Sequence, residues 1–367
     1  MIICIPKEIK PNENRVGMTP SGVAELVANK HTVYVENGAG AGSGFCDDEY
    51  AQNGAIVVNT AEETWQKAEL VIKVKEPLPS EFKFFRPGLV IFTFFHLAPE
   101  YDLTQHLLDK KVISIAYETI ELADGTLPLL APMSEVAGRM SVQIGATFLQ
   151  KIYGGKGLLM GGVPGTLPAE VVIIGGGVVG LSAARIATGM GASVTIIDIN
   201  QRRLAELDNI FMGRVKTLVS SNANIATCVR GADLLIGAVL VTGDKAPKLV
   251  SAEMVKTMQS GSVIVDVAID QGGCVATIDR VTTHNNPVYE KFGIVHYSVA
   301  NMPGAVPRTS TLALTSVTLA YVLKIANLGV EQAFVEDISL QKGLNTYNGL
   351  LTNKAVASSQ NRKYTAY

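Results

Sequence analysis

Short runs of apolar residues alternate with amphipathic segments over the first 128 residues of the chain. The intervening segments 20–30 and 99–110 carry apolar residues at helical spacing. Apolar strands that alternate with helices are typical of a parallel sheet covered on both faces. The apolar runs predict β-strands at residues 2–5, 31–36, 55–58, 70–74, 89–94 and 111–116.

A second series of the same kind begins at Glu170. Long helices predicted at residues 132–153 and about 309–328 flank it, which indicates an insertion. The predicted fold class is therefore α/β, with two Rossmann-like domains, one inserted into the other. The discontinuous domain covers residues 1–130 and 307–367, and the inserted domain covers residues 131–306. The strands of the second series are predicted at residues 171–175, 193–198, 215–220, 233–239, 262–268 and 293–299.

Two further segments have composition typical of turns and loops. Residues 118–130 contain an Asp-Gly pair and predict a small hairpin. Residues 154–168 are rich in glycine and proline but lack the GK[ST] ending of a phosphate-binding P-loop. We therefore expect a surface connection there.

Composition and charge narrow the class of protein. The 367 residues are 47% hydrophobic, which predicts packed cores, and the net charge of −2 argues against nucleic-acid or membrane-surface partners. The four cysteines have no metal-site or disulfide spacing, and no export signal opens the chain, so we expect a cytoplasmic protein. The apolar stretch 311–329 is interrupted by Thr, Ser and Lys and predicts a buried helix, not a membrane span.

A glycine-rich motif marks a nucleotide site in the inserted domain. Gly175, Gly177 and Gly180 fit G-x-G-x-x-G between an apolar strand and a small-residue helix, and Asp198 ends the next strand. This context is typical of a dinucleotide-binding fold, with the helix N-terminus facing the phosphates. An acid at that strand end favours NAD over NADP, although Arg202 and Arg203 follow it closely and could hold a 2′-phosphate.

Several long segments together resemble the alanine dehydrogenase family, in order and over nearly the whole chain. They include "PKEIKPNENRVGMTP", "MSEVAGRMSVQIGA", "IIGGGVVG", "DVAIDQGGC" and "HYSVANMPGAVPRTST". Wider relatives are the NAD-binding subunit of proton-translocating transhydrogenase and the saccharopine dehydrogenases. The resemblance implies reversible oxidative deamination of L-alanine to pyruvate and ammonium with NAD, in a hexamer. It makes residues 131–306 the NAD-binding domain and the remainder the substrate domain.

The resemblance also implies roles for individual residues. Arg15 and Lys75 match the substrate-binding residues of the family, and His96 and Asp270 match its catalytic residues. Some members are reported with magnesium near the helix that here includes Leu323 and Asn327, but neither is a charged ligand, so no metal is predicted. The implied NAD contacts, besides the three glycines, are Ser134, Val178, Val179, Asp198, Arg203, Ser220, Val239, Leu240, Val267, Ala268, Ile269, Asp270, Arg280, Val299, Ala300, Asn301 and Met302.

The chemistry of the four site residues leaves alternatives open. Arg15 is either a solvated surface charge or a bidentate partner for a substrate carboxylate. Lys75 and His96 each follow a predicted strand, where functional groups of parallel sheets gather, yet most such lysines and histidines are structural or solvated. We expect His96 to titrate near neutrality and to transfer protons.

Asp270 belongs to the other predicted domain, so we expect it to meet His96 only across a cleft. It could instead cap a turn, and Asp266, inside the preceding strand, is its local competitor.

Two rival functions remain at this point. The chain could be a related dehydrogenase for another amino acid, since one methylene changes binding by only about 1–3 kcal/mol. It could also be a binding module for NAD(H), like a free-standing transhydrogenase subunit, with no amino-acid chemistry.

Overall fold

The structure is a computed structural model that describes residues 1–239 and 246–367; for residues 270 and 271 it describes the backbone alone. The chain divides into two compact units, unit 1 (Met1–Met133 and Gly304–Tyr367) and unit 2 (Ser134–Pro303). Each unit contains one mainly parallel β-sheet. The predicted α/β class with two parallel-rich sheets is therefore confirmed.

All twelve predicted strands are present, and three further strands occur among the described residues. The strands are β1 (Ile2–Ile5), β2 (Thr32–Glu36), β3 (Ile56–Val58), β4 (Leu70–Ile72), β5 (Val90–Thr93), β6 (Ile113–Ala116), β7 (Glu170–Ile174), β8 (Ser193–Asp198), β9 (Val215–Val219), β10 (Leu234–Gly237), β11 (Val263–Asp266), β12 (Val288–Lys291), β13 (Ile294–Tyr297), β14 (Leu344–Tyr347) and β15 (Leu350–Leu351).

Helices connect most of these strands. They are α1 (Pro20–Ala28), α2 (Asp47–Gln52), α3 (Ala61–Lys67), α4 (Tyr101–Asp109), α5 (Ala131–Phe148), α6 (Val178–Gly189), α7 (Gln201–Phe211), α8 (Asn222–Gly231), α9 (Ala252–Lys256), α10 (Pro307–Leu328), α11 (Val330–Glu336), α12 (Ile338–Lys342) and α13 (Lys354–Ser359). Predicted helix 132–153 ends five residues early, at Phe148, and a separate 3₁₀ turn follows at Lys151–Tyr153.

The sheet of unit 1 has the order β15-β14-β6-β5-β4-β1-β2-β3. Strands β1 to β6 pair in parallel, whereas β14 pairs antiparallel with both of its neighbours, β6 and β15. Every residue of β4 and β5 is buried, as expected for central strands covered on both faces. The chain order reverses between β1 and β4, which makes the carboxyl ends of these two strands a topological switch point.

The sheet of unit 2 has the order β12-β13-β11-β10-β7-β8-β9, and only β12 runs antiparallel. Its chain order reverses between β7 and β10. Ligands of open α/β sheets bind outside the carboxyl ends of the strands at such a reversal. The glycine-rich motif directly follows β7 and therefore lies where a nucleotide is expected.

The predicted hairpin at residues 118–130 is absent, and a hairpin that was not predicted occurs elsewhere in unit 1. Asp124 and Gly125 form a turn, with the Leu122 N–H donating to Thr126 O, but no strands flank it. The hairpin of unit 1 is instead β14–β15, whose turn contains Asn348 (φ 50°) and Gly349 (φ 82°). Both central residues have positive φ, as a type I′ turn requires, so this Asn-Gly pair was the stronger signal.

Helix α10 contains the apolar stretch predicted to be a buried helix. By length and composition alone, α10 could cross a membrane, but a single helix of this kind is weak evidence for a membrane span. Within unit 1, 39% of its most apolar 18-residue window is buried. Its buried residues recur at helical spacing, from Ser310 and Leu314 to Thr318 and Val322. The helix thus covers unit 1 with one face.

Candidate active site

Three predicted site residues lie together at the carboxyl edge of the unit 1 sheet. Arg15 is in the loop after β1, Lys75 follows β4 and His96 follows β5. The loops after β1 and β4 flank the switch point, and β5 is the next strand. The charges of Lys75, Lys10 and Arg15 all act on the His96 ring, so these groups share one electrostatic environment.

Arg15 is not a surface charge, because only 2% of the residue is exposed. Its guanidinium forms a two-point ion pair with Glu13, from Nε to Oε1 at 2.7 Å and from Nη2 to Oε2 at 2.5 Å. Its Nη1 also lies 3.2 Å from Met133 Sδ. Glu13 therefore occupies the Nε–Nη2 edge of the guanidinium.

Glu8 binds the backbone that carries Lys75. Glu8 Oε1 accepts the N–H of Val74 at 2.6 Å and that of Lys75 at 3.4 Å. Glu8 Oε2 also pairs with Lys73 Nζ at 3.2 Å, and Lys73 pairs with Glu81 at 2.9 Å. These three charged side chains are at most 5% exposed. Such a buried ionic network is rigid when every member is paired.

His96 has a left-handed backbone conformation, with φ of 48°. A non-glycine residue in that region costs about 1–2 kcal/mol, so the surrounding structure must hold it there. The His96 N–H donates to Glu118 Oε1 at 2.6 Å, and the Phe95 N–H donates to both Glu118 oxygens at 3.2 Å. The His96 ring stacks parallel to the Phe94 ring, with centroids 5.8 Å apart.

The electrostatics around His96 differ from the sequence-based expectation. Desolvation lowers the pKa of His96, and the cations Lys75, Lys10 and Arg15 lower it further, to about 3. The side chain is exposed, so solvent screens part of these effects. Both causes favour the neutral imidazole, which differs from the expectation that His96 titrates near neutrality.

Glu118 is the group whose titration falls near neutrality. Burial raises its pKa to about 7, although the N–H groups of its own residue, His96 and Phe95, and the Lys75 charge, favour the ionised form. Glu118 was not among the site residues predicted from the sequence. Glu118 lies two residues after β6, just as Lys75 and His96 lie shortly after strands. The same criterion, a charged or polar residue just beyond a strand, could have identified it.

The glycine loop of unit 2 has the conformation that the motif predicts. Gly175 has φ of 103°, which favours glycine, and a Cβ on Gly180 would lie 1.9 Å from the Gly175 oxygen. Gly177 is different, because a Cβ there meets nothing within 4 Å. The packing of the protein explains Gly175 and Gly180, whereas the absent side chain of Gly177 suits a pyrophosphate at the N-terminus of α6.

Asp198 and Arg203 both support this loop. Asp198 Oδ2 accepts the Gly176 N–H at 2.6 Å, and Oδ1 accepts the Asn200 N–H at 2.8 Å. The Arg203 Nε donates to the Gly176 oxygen at 2.6 Å. Each Asp198 oxygen retains a second lone pair, so the carboxylate can still accept from ribose hydroxyls.

Asp266, the local competitor of Asp270, accepts hydrogen bonds from the turn that follows β11. It is fully buried, and its oxygens accept the N–H groups of Ala268 at 3.1 Å, Cys274 at 2.8 Å and Val275 at 3.1 Å. These bonds fix the 3₁₀ turn Val267–Gln271, in which Asp270 lies. The Asp270 side chain is outside what the structure describes.

The other predicted cofactor residues also follow parallel strands of unit 2 or begin its helices. Leu240 lies outside the described residues. Arg280 pairs with Asp279 at 2.9 Å and lies over the Tyr289 ring. Ser134 is in the first turn of α5, Val178 and Val179 begin α6, Ser220 follows β9, Val239 follows β10, the segment with Val267, Ala268 and Ile269 follows β11, and Val299, Ala300, Asn301 and Met302 follow β13. Across residues 1–239 and 246–367, no group of three or more His, Cys, Asp or Glu side chains could hold a metal.

Two Rossmann-like units, one with a dinucleotide loop and one with a cationic site, define a nicotinamide-dependent dehydrogenase. Residues 4–137 match the N-terminal domain, and residues 141–354 the C-terminal domain, of the family described as alanine dehydrogenase/PNT. The chain belongs to this family.

Individual relatives agree with that assignment. An alanine dehydrogenase of Methanococcus maripaludis is 62% identical over 365 residues, which are 100% of this chain and 98% of the relative. A solved L-alanine dehydrogenase structure superposes with a TM-score of 0.95 at 53% identity, covering 98% of this chain and 99% of the other. A transhydrogenase from Sinorhizobium meliloti has a TM-score of 0.84 at 25% identity, covering 96% and 100%. The predicted enzyme class and activity, an amino-acid dehydrogenase that deaminates L-alanine, are confirmed by these matches.

The two glycines of the loop allow a matched test. Gly177→Ala should leave the melting temperature unchanged, because the new methyl group meets no protein atom. It should weaken NADH binding roughly tenfold or more by keeping phosphate from the backbone. Gly180→Ala should instead destabilise the fold by about 1–3 kcal/mol through overpacking. Thermal unfolding and NADH fluorescence titration measure both; unaltered NADH affinity in Gly177→Ala would contradict the assignment.

Proposed function

We propose that this protein uses NAD to deaminate L-alanine, with Arg15 and Lys75 holding the substrate and His96 and Asp270 moving protons. The observation that carries the proposal is the convergence of Arg15, Lys75 and His96 at the carboxyl edge of one sheet, beside its switch point. The proposal requires both units, since Asp270 belongs to unit 2.

The substrate roles follow from charge. Arg15 is buried, and its planar guanidinium is the group best suited to binding a carboxylate through two parallel hydrogen bonds. Lys75 contributes an ammonium group that stabilises negative charge on the carbonyl oxygen as pyruvate or the carbinolamine forms. Together with Lys10, these cations make the edge attractive to a small anion.

The proton-transfer role of His96 follows from its neutral imidazole. A neutral ring can accept a proton from the attacking water or from the amine. The bound substrate carboxylate would offset part of the positive charge that lowers the pKa of His96. The same ring can then donate a proton to the departing ammonia, with Asp270 assisting once both ligands are bound.

The reaction balances with one water. The glycine loop, Asp198 and the strand-end residues of unit 2 would hold NAD, which would supply the hydride acceptor for Cα of alanine. The substrate ammonium must first lose one proton, so that the product of hydride loss is the iminium. Arg15 and Lys75 orient the resulting iminium, and His96 deprotonates the water that adds to it. His96 then protonates the nitrogen of the carbinolamine, which collapses to pyruvate and ammonium.

Further features of the proposal rest on the family resemblance and on composition. We expect residues 1–130 and 307–367 to serve as the substrate domain, residues 131–306 as the NAD-binding domain, and the active form to be a hexamer. The cysteines Cys4, Cys46, Cys228 and Cys274 are all unpaired, which suits a reducing, cytoplasmic setting.

The test of the activity is NADH formation with L-alanine against a panel of other amino acids. Turnover that prefers L-alanine supports the proposal. Preference for a different amino acid would overturn the substrate assignment, and NADH binding without turnover of any amino acid would favour a binding module.

The cofactor preference depends on Asp198. Asp198→Asn keeps one oxygen for the Gly176 N–H but removes the charge that repels a 2′-phosphate. The ratio of kcat/KM with NAD to that with NADP should fall about tenfold or more, as for loss of a charged hydrogen-bond acceptor. Asp208→Asn, on the exposed face of α7, is the control. Equal use of NAD and NADP by the parent enzyme would contradict the assignment of Asp198 to the ribose hydroxyls.

The grip on the substrate carboxylate depends on the planar fork of Arg15. Arg15→Lys keeps the charge but loses the bidentate geometry toward both Glu13 and substrate. We expect KM for alanine and pyruvate to rise at least about tenfold, the effect of about 1.4 kcal/mol, with NADH affinity little changed. Arg362→Lys, at a half-buried position of unit 1 where the guanidinium donates to Gln105, should alter neither. Unchanged KM values in Arg15→Lys would remove Arg15 from the substrate site.

Proton transfer depends on His96 and Asp270. His96→Ala and Asp270→Asn should each bind NADH normally yet lose about a hundredfold or more in kcat, the usual contribution of a general acid–base. The double variant should be far less impaired than the product of the single effects, because both groups act on one step. His106→Ala and Asp208→Asn are the matched controls. Near-normal turnover in either single variant would exclude that residue from the mechanism.

A further inference from the structure

We infer that Glu118 is a positioning residue of this enzyme: its carboxylate holds the backbone of Phe95 and His96 so that the imidazole keeps its reactive orientation. The inference rests on the proposed role of His96. The inference adds Glu118, which follows β6, to the site residues. The only described contact of Glu118 with His96 is to the His96 backbone N–H.

The first argument is the fit of the carboxylate to the turn. Parallel pairing places Thr93 of β5 opposite Ala116 of β6, so the residues just beyond these strands are neighbours. Glu118 Oε1 accepts two N–H groups of the other turn, at 2.6 Å from His96 and 3.2 Å from Phe95. A carboxylate binds N–H groups more strongly than a neutral acceptor does.

The second argument is the conformation that these bonds maintain. The left-handed backbone of His96 is disfavoured for a residue with a side chain and persists only where its surroundings determine it. The described contacts that fix it are the Glu118 bonds on the backbone and the Phe94 ring beside the imidazole. Without the carboxylate, the two N–H groups lose their acceptor and the turn can relax to an ordinary conformation.

The third argument is that ionised Glu118 lowers the stability of the fold, so stability alone does not explain its presence. Its pKa is about 7, above its ordinary value of 4.5, because burial penalises the charge. A carboxyl group whose pKa is raised in the folded state opposes folding increasingly as pH rises from about 4.5 to about 7. The charged groups that face the pair are Lys75, which favours ionised Glu118, and Lys10 and Arg15, which act on His96.

The experiment compares Glu118→Ala and Glu118→Gln with Glu121→Gln, a control three residues along whose carboxylate pairs with Lys342. At pH 8, Glu118→Ala should lower kcat for L-alanine about tenfold or more, and Glu118→Gln, which keeps one acceptor oxygen, by less. NADH affinity should stay within about twofold in both, since Glu118 belongs to unit 1 and the glycine loop to unit 2.

Two readouts separate positioning from a purely structural role. The melting temperature of Glu118→Gln relative to the parent should rise as pH increases from 5 to 8, because the variant has no carboxyl to ionise. In a His96→Ala background, Glu118→Gln should cause no further loss of residual turnover, because it acts through His96. Should Glu118→Ala fail to fold, Glu118→Gln carries both readouts.

Normal turnover in Glu118→Ala or Glu118→Gln beside an inactive His96→Ala would overturn this inference and leave the proposed function intact. If Glu118→Gln lowers the residual turnover of His96→Ala by the same factor as it lowers that of the parent, the inference would also be overturned. Near-normal turnover in His96→Ala would overturn the proposed role of His96 and this inference with it.

Discussion

The candidate site depends on one interaction used repeatedly: a carboxylate that accepts backbone N–H groups just beyond the end of a parallel strand. Such turns expose N–H groups that no strand or helix satisfies, and a buried carboxylate satisfies two or three at once. In unit 1 the carboxylates hold the loops of the predicted substrate and proton-transfer residues. In unit 2 they hold the glycine loop and the turn of Asp270. The members are Glu8, Glu118, Asp198 and Asp266.

This arrangement also balances charge. Arg15, Lys75 and Lys10 gather where a substrate anion is to bind, and cations alone would repel one another at a half-buried edge. Glu13 pairs with Arg15, Glu76 with Lys10, and Glu8 with Lys73 beneath Lys75. The remaining positive field lowers the pKa of His96, which keeps the ring neutral and able to accept a proton.

Local patterns in the sequence predicted the fold well, and predicted the site only at strand ends. Apolar runs located twelve strands because central parallel strands are apolar on both faces. The Asp124–Gly125 pair predicted a hairpin, but the turn that it forms has no flanking strands. The Asn348–Gly349 pair, which does connect two strands, was overlooked. The pKa of His96 and the role of Glu118 depend on which strands are neighbours, and that pairing is a tertiary property.

The most direct test of the account is a crystal structure of the protein with NADH and pyruvate bound. The account predicts that the Arg15 guanidinium binds the pyruvate carboxylate, with Glu13 still on its Nε–Nη2 edge. The keto oxygen should lie within hydrogen-bond distance of Lys75 Nζ and the His96 ring, and the Glu118 bonds to Phe95 and His96 should remain. Pyruvate bound away from Arg15 and Lys75, or a His96 turn that leaves Glu118, would contradict it.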